Sequence, residues 1–371
     1  GARAEMEDRR GITMLRSLTL IMVWGVSVRA TGGLAETMIR EARGEPEAII
    51  ARIDRATQEE LRSCRAWSNK QATQPRNGQV SCPINSFHSH VALDNTRGDK
   101  TQAKYSGRVF VPPRGWGLPR DAIHLCAFIA TLQRAGKLPR DASAVRAANL
   151  TLLDIGAAFG GETVVGGELG FGVVAFEPHP AEWARLHNAW GGRPQTQIIN
   201  AAVTRVPSNM TLLAAEDSST LEERSMHNAQ AAQGKARREG LGRVTVRGVS
   251  IDADLRQVTT IDPAHVAVIK LDIQGHEYEA LAGAIKTIRE HHPVLYFEYS
   301  PHLFKGAHEA DVNKVLCLAM LVGGYKCTIP LRGELAFCVP NSLGRNTRVL
   351  HPDTDVQRPY SSGARNIPRY H

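Results

Sequence analysis

Residues 150–163 read LTLLDIGAAFGGET. A β-prone apolar run ends in Asp154, enters the small-residue turn Gly156-Ala157-Ala158-Phe159-Gly160-Gly161 and leads toward a helix. Turns of this kind hold nucleotide-like ligands, because small residues let the backbone come close. The residues themselves narrow the ligand. A P-loop needs GxxxxGK[ST], and no lysine follows these glycines. A dinucleotide turn needs GxGxxG, whose second glycine admits the pyrophosphate, and Ala158 puts a methyl group there. Asp154 would repel a pyrophosphate but suits a ligand with a cationic amino-acid end. The turn therefore points to S-adenosylmethionine, which combines adenosine, an ammonium and a sulfonium without phosphate.

The spacing downstream fits. Glu177 closes a second apolar run, GVVAFEP (172–178), 21 residues after Gly156. An acid at that strand end accepts hydrogen bonds from ribose hydroxyls, which supports any adenosine ligand. Further runs at 196–203, 265–273, 293–299, 325–330 and 334–340 read as strands. Segments 180–190, 275–291 and 309–321 read as helices between them. In the second of these, Tyr278, Leu281, Ala282, Ile285 and Ile288 share one face. Continuous apolar strands alternating with helices predict an α/β fold with a mostly parallel, seven-stranded, Rossmann-like sheet. The short link Leu331-Arg332-Gly333 makes the last strand antiparallel.

The rest of the chain divides around this core. The 371 residues, 42% hydrophobic and 22% charged, suffice for a large domain with an extension. We expect a signal peptide or short anchor at 1–31 and an extension, helical then loop-rich, at 32–121. The main domain spans 122–340 with a polar insert at 204–264, and a basic tail occupies 341–371. The leader reading rests on Arg9, Arg10 and Arg16 before the apolar run from Ser17 to Val28, followed by small residues. The same features suit an organellar transit peptide. A cleaved leader favours the secretory pathway, and a membrane would be met only through this segment. In the extension, Ile49, Ile50, Ile53 and Leu61 recur at helical spacing. The formal charge of +8 is dispersed, and neither of its densest runs, KARRE (235–239) and the Arg-bearing tail after 340, is interleaved with aromatics as a single-strand binding surface would be, so no nucleic-acid partner is expected. Among the six cysteines no CxxC or zinc-type spacing occurs. In an oxidising compartment Cys64 with Cys82, and Cys327 with Cys338, are the expected pairs, and Cys317 is expected in the core.

The ordered set LLDIGAAFGGET, VVAFEPHPAEWARL, IINAAV, VSIDADL, VIKLDIQGHEYEALAGA and HPVLYFEYSP resembles the FkbM-type S-adenosylmethionine-dependent methyltransferases. The likeness covers about 150–300 and extends toward 340. It implies the class I methyltransferase fold and O-methylation of a hydroxyl on a carbohydrate or small molecule. It also implies that Asp154, Gly156, Ala157 and Gly160 line the cofactor. Glu177 would hold the ribose, and Asn200 and Ala201 would lie near the adenine. Two positions depart from the family pattern: Ala158 stands where Asn is usual, and Gln274 where Glu is common.

Methyl transfer to an alcohol needs an aligned oxygen and a base. Asp272, at the carboxyl end of the 265–273 strand, is the first candidate, because an acid ending an apolar strand needs a reason to be there. Glu277, Glu298 and His276 follow as catalytic candidates. Each has a plainer alternative: Glu277 complements a helix dipole, His276 lies on the surface, and Glu298 fixes a strand end. Lys270 projects to the same face as Asp272 and is expected to pair with it. Asp252 is expected to cap a short helix. A divalent metal held by Asp272, Glu277 and Glu298 is conceivable but not indicated. The rival readings are an NAD-dependent oxidoreductase, which the missing GxGxxG opposes, and a catalytically silent binding module on the same fold.

Overall fold

Two sheets organise the chain in a computed structural model that describes residues 46–57, 61, 62, 64, 65, 120–213, 219, 221, 242–299, 309–329 and 335–341. The larger sheet has seven strands. These are β1 (Thr151–Ile155), β2 (Gly172–Phe176), β3 (Thr196–Ile199), β7 (Val266–Leu271), β8 (Val294–Glu298), β9 (Tyr325–Thr328) and β10 (Leu335–Pro340). Their order is β3-β2-β1-β7-β8-β10-β9. The first five run parallel, and β10 is antiparallel to both β8 and β9. This is the class I methyltransferase order, with a reversed strand inserted near one edge. β1 is buried along its whole length, as expected for a parallel strand covered on both faces.

Helices cover both faces. On one lie α2 (Arg120–Arg134), α3 (Ala142–Ala147), α4 (Gly161–Glu168) and α5 (Pro180–Trp190). Leu125, Phe128 and Leu132 of α2 and Val165 of α4 pack on Leu152, Val173, Val268 and Phe337 of the sheet. On the other face lie α1 (Pro46–Arg55), α6 (Ile251–Val258), α7 (Glu277–Ala282), α8 (Ile285–His291) and α9 (Glu309–Cys317). Their apolar faces meet Leu153, Ile155, Val174, Phe176 and Ile269.

The expected 275–291 helix is two helices. Its break lies at Gly283, whose carbonyl accepts from the Asp252 N–H and the Ser250 hydroxyl. A Cβ there would overlap the carbonyl of Thr204. The Asp252 carboxylate then accepts the N–H groups of Lys286 and Thr287 at 2.7 and 2.9 Å, and so restarts the chain as α8. Asp252 thus caps a helix distant in sequence, rather than the short helix it begins. The expected 196–203 strand also divides. After β3 the chain turns at Asn200, and β4 (Ala202–Val203) joins β5 (Ser208–Leu213) and β6 (Arg243–Val249) in a second sheet ordered β4-β6-β5. β5 and β6 of that sheet, together with α6, lie within the expected polar insert.

The N-terminal extension is attached to the domain through α1. Ile53 and Leu61 are buried in the main core, and Ile49 and Ile50 pack against it, as their spacing suggests. Arg205 bonds both carboxylate oxygens of Asp54, at 2.9 and 3.1 Å, and pairs with Glu279. The Tyr278 hydroxyl donates to Asp54 at 2.9 Å. Cys64 is disulfide-bonded to Cys317 at the end of α9, so its partner is not Cys82, which lies outside the described residues. Cys317 is in the core as expected, but as half of this bridge. Cys327 and Cys338 are bonded across facing positions of β9 and β10, as expected from sequence, and Cys126 is also disulfide-bonded. Replacing Cys64 and Cys317 together by alanine is expected to cost about 2–5 kcal/mol, because the bridge closes a long loop in the unfolded chain. Urea denaturation checks this, and an unchanged midpoint would mean that packing and the bonds of Arg205 and Tyr278 to Asp54 hold α1 without the bridge.

The expected leader (1–31), most of the 67–120 loops and the 341–371 tail fall outside the described residues, apart from Asn341. Among the described residues no helix is long and apolar enough to cross a membrane.

Candidate active site

A cleft open to solvent lies at the carboxyl ends of β1, β2 and β7. This end of an open α/β sheet is where ligands bind. The first turn contributes Ile155, Gly156 and Ala158, and the second Phe176, Glu177 and Pro178. Ala201, Ala202, Val203 and Leu212 form an apolar wall continuing onto the second sheet, with Ser219 and Leu221 beyond it. Asp272, Ile273 and Gln274 close the side after β7.

Steric limits shape the first turn. Gly156 has φ +79°, and a Cβ there would overlap the Asp272 carbonyl oxygen. The β1 and β7 turns therefore touch backbone to backbone. Ala158 also occupies the left-handed region, at φ +41°. That conformation strains any residue with a Cβ, and asparagine tolerates it better than alanine. Gly160, at φ +80°, lies against Leu186 and Trp190 of α5. It is a packing glycine and, like Ala157, Asp154 and Asn200, does not line the cleft.

Glu177 clamps the two turns together. One carboxylate oxygen accepts the Ala158 N–H and the other the His179 N–H, both at 2.8 Å. Burial pushes its carboxyl up to about 7, against the opposing pull of these two donors. Asn200 stands behind it, donating its side-chain amide to the carbonyls of Glu177 and Pro178.

Asp154 is 0% exposed. One of its oxygens accepts the Thr163 hydroxyl at 2.6 Å, and the other lies 3.1 Å from Lys270 Nζ. The register that sets Asp154 opposite Lys270 on β7 explains the pair. Lys270, 2% exposed, also donates to the Gly156 carbonyl oxygen at 2.6 Å. So its ion-pair partner is Asp154 rather than Asp272, and it fixes the shape of the first turn. Burial pulls the Lys270 ammonium down, but Asp154, Glu162 and Asp272 together hold it above the ordinary lysine range.

The four acid–base candidates are not brought to one point. Asp272 is half-buried in the cleft wall. The Gln274 side-chain amide bridges Asp272 at 3.1 Å and Glu298 at 3.0 Å. Gln274 thus joins two carboxylates that a glutamate there would repel. Glu277 turns instead to the backbone, accepting the Ile273 and Gly275 N–H groups at 2.9 and 3.0 Å, and burial pushes it up to about 7. His276 is buried, not on the surface, with Nε2 3.1 Å from the Thr204 hydroxyl. Among the described residues no group of three or more His, Cys, Asp or Glu side chains is placed to hold a metal ion. Two residues of the cleft wall carried no readable signal in the sequence: Leu212 and Leu221 come from an insert without clear periodicity.

Residues 154–325 match the methyltransferase FkbM domain. No curated protein matches the chain. Among solved structures, a methyltransferase FkbM from Methylobacillus flagellatus KT is 17% identical, over 59% of this chain and 55% of its own, with a TM-score of 0.33. The chain thus spans about half the length of that protein. Cofactor-bound Rv0187 from MTB is 16% identical, over 58% of this chain and 88% of its own, with a TM-score of 0.29. Both likenesses are distant, and the fold is read from the strand order above. The segment from Asp154 to Tyr325 is a methyltransferase FkbM domain.

Proposed function

We propose that the chain transfers the methyl group of S-adenosylmethionine to a hydroxyl of a carbohydrate or small molecule. The observation that carries this reading is Glu177. A buried carboxylate at the end of β2 is clamped to the Ala158 N–H of the first turn and faces the same cleft as Asp272. The residues present fit the cofactor. Gly156 supplies a turn with no room for a side chain, and Glu177 offers carboxylate oxygens for ribose hydroxyls. Ala201, Ala202, Val203 and Leu212 offer an apolar wall for a base. Ala158 fills the place where a dinucleotide needs its second glycine.

When bound, S-adenosylmethionine supplies an electrophilic methyl on a sulfonium. The chain's own residues do the rest. Asp272 accepts the acceptor hydroxyl's proton at a carboxylate oxygen, and Gln274 holds that carboxylate beside Glu298. The second sheet shields the cleft from water and sets which acceptors enter. The disulfides favour an oxidising compartment, which supports a lumenal or secreted acceptor, glycans included.

Calorimetric titration with S-adenosylmethionine, S-adenosylhomocysteine and NAD is the test. The first two are expected to bind and NAD is not; failure of both adenosyl compounds would sink the proposal. Replacing Glu177 by alanine is expected to weaken S-adenosylhomocysteine about 10- to 100-fold, since hydrogen bonds to a charged group are lost and two N–H groups are freed. Normal binding by that variant would overturn the ribose assignment.

A further inference from the structure

We infer that Asn209 is a site of N-linked glycosylation, on the face of the second sheet that turns away from the cleft. The sequence holds two Asn-x-Thr triplets, Asn149-Leu150-Thr151 and Asn209-Met210-Thr211, the pattern that marks an acceptor asparagine. The pattern alone is common by chance, and the structure separates the two. Asn209 and Thr211 lie on β5, the edge strand of the second sheet. Side chains alternate between the faces of a strand, and here the two faces differ. Met210 and Leu212 pack inward with Val246 and Ala202, and Leu212 reaches the cleft. Asn209 and Thr211 face the other way. Asn209 stands opposite Arg247 and Thr211 opposite Thr245, and all four are exposed. Among the described residues no hydrogen bond or ion pair engages the Asn209 side chain. A glycan on it would project from an open, polar surface.

Asn149 offers a poorer acceptor. Its side-chain amide lies 3.4 Å from His265 Nδ1. Thr151, the hydroxyl of its triplet, begins β1 and is 1% exposed. That hydroxyl is sealed once the sheet forms, whereas the triplet on β5 stays presented in the folded chain.

The cysteines support the modification independently. Every described cysteine, namely Cys64, Cys126, Cys317, Cys327 and Cys338, is disulfide-bonded. Such bridges persist in oxidising compartments, the lumen of the endoplasmic reticulum among them, and that is where oligosaccharides are transferred to asparagine. The apolar run from Ser17 to Val28 behind Arg16 is of the kind that directs a chain there. The surface also has a use for a glycan. Val206, three positions before Asn209, is 63% exposed and is the one exposed large hydrophobic among the described residues. A bulky, solubilising group close by would screen it. The donor is an oligosaccharide carried on a lipid pyrophosphate, and the host's oligosaccharyl transferase is the catalyst. Asn209 Nδ2 forms a bond to the anomeric carbon of the first sugar. The bond from that carbon to the pyrophosphate oxygen breaks, its electron pair leaves with the lipid pyrophosphate, and the amide releases one proton. Nothing is oxidised or reduced.

The test is peptide mapping by mass spectrometry of the full chain, isolated from the cells that make it, before and after peptide-N-glycosidase. That enzyme releases the glycan and leaves aspartate where the modified asparagine stood. The peptide holding Asn209 is expected to show this conversion, and the peptide holding Asn149 is not. Asn209 recovered as plain asparagine would overturn the inference, and so would a glycan confined to Asn149. Variants made in the same cells check the assignment. Asn209→Gln and Thr211→Ala should each abolish the glycosidase-sensitive shift in electrophoretic mobility. Thr211→Ser should keep it, because serine also completes the triplet. A shift of full size in Asn209→Gln would refute the site. If that variant does not fold, the map of the wild-type chain decides alone.

Discussion

Lys270→Met is expected to destabilise the fold by about 3–5 kcal/mol, the usual cost of removing one partner from a buried ion pair. The side-chain volume is nearly kept, so the loss is electrostatic. Asp154 would remain fully buried with Thr163 as its one hydrogen-bond donor, and Asp272 and Glu162 would lose the cation that offsets them. The Gly156 carbonyl would lose its donor as well. The turn that shapes the cleft would loosen, so affinity for S-adenosylhomocysteine should fall in parallel. Urea denaturation reads the first effect and calorimetry the second. Asp154→Asn in the same chain should restore part of the stability, because the two side chains form one unit and their costs are not additive. A loss below about 1 kcal/mol in the single variant would show that the pair contributes little to stability.

Asp272→Asn should lower kcat by about 10²- to 10⁴-fold, the range for removing a general base. Cofactor affinity should stay within about threefold, because the substitution keeps the size of the side chain and its bond with Gln274, whose amide can turn to suit. The contrast between the two readouts is the point of the experiment. Lys270 supports the turn, so its loss moves stability and binding together. Asp272 stands in the cleft wall beside Glu298, so its loss should move turnover alone. A variant with normal turnover would send the search for the base to Glu298, the other carboxylate held by Gln274. Turnover measurements need an acceptor, and a panel of free and glycan-borne hydroxyls is the natural start.

Much of this architecture was legible in the chain. Strands such as TLLDI and PVLYFEY, and the helix PAEWARLHNAW, are specified locally. Each is long enough and uniform enough in burial for its period to be read, and the helix 180–190 has the bounds expected for it. The glycine-rich turn and Glu177 were visible because a tight turn and a strand-end acid impose residue types at fixed spacing. The insert was not legible. β5 and β6 alternate only weakly and are half exposed, so they lack the apolar contrast that marks a buried strand. The break at Gly283 was hidden because its cause, Asp252, lies about thirty residues upstream.

The site shows the same division more sharply. Sequence alone determined that this chain would build a mostly parallel sheet, with a crevice at the ends of the strands that carry Asp154, Glu177 and Asp272, since residue type and periodicity decide which segments are buried and where strands end. Tertiary structure alone decided what each acid does there. Strand register set Lys270 opposite Asp154 rather than Asp272. Backbone donors claimed Glu277, and Gln274 joined Asp272 to Glu298. Whether a carboxylate supports the fold or awaits a ligand depends on which donors reach its oxygens. That is a matter of distances of about 3 Å between groups far apart in sequence, and no local pattern records it.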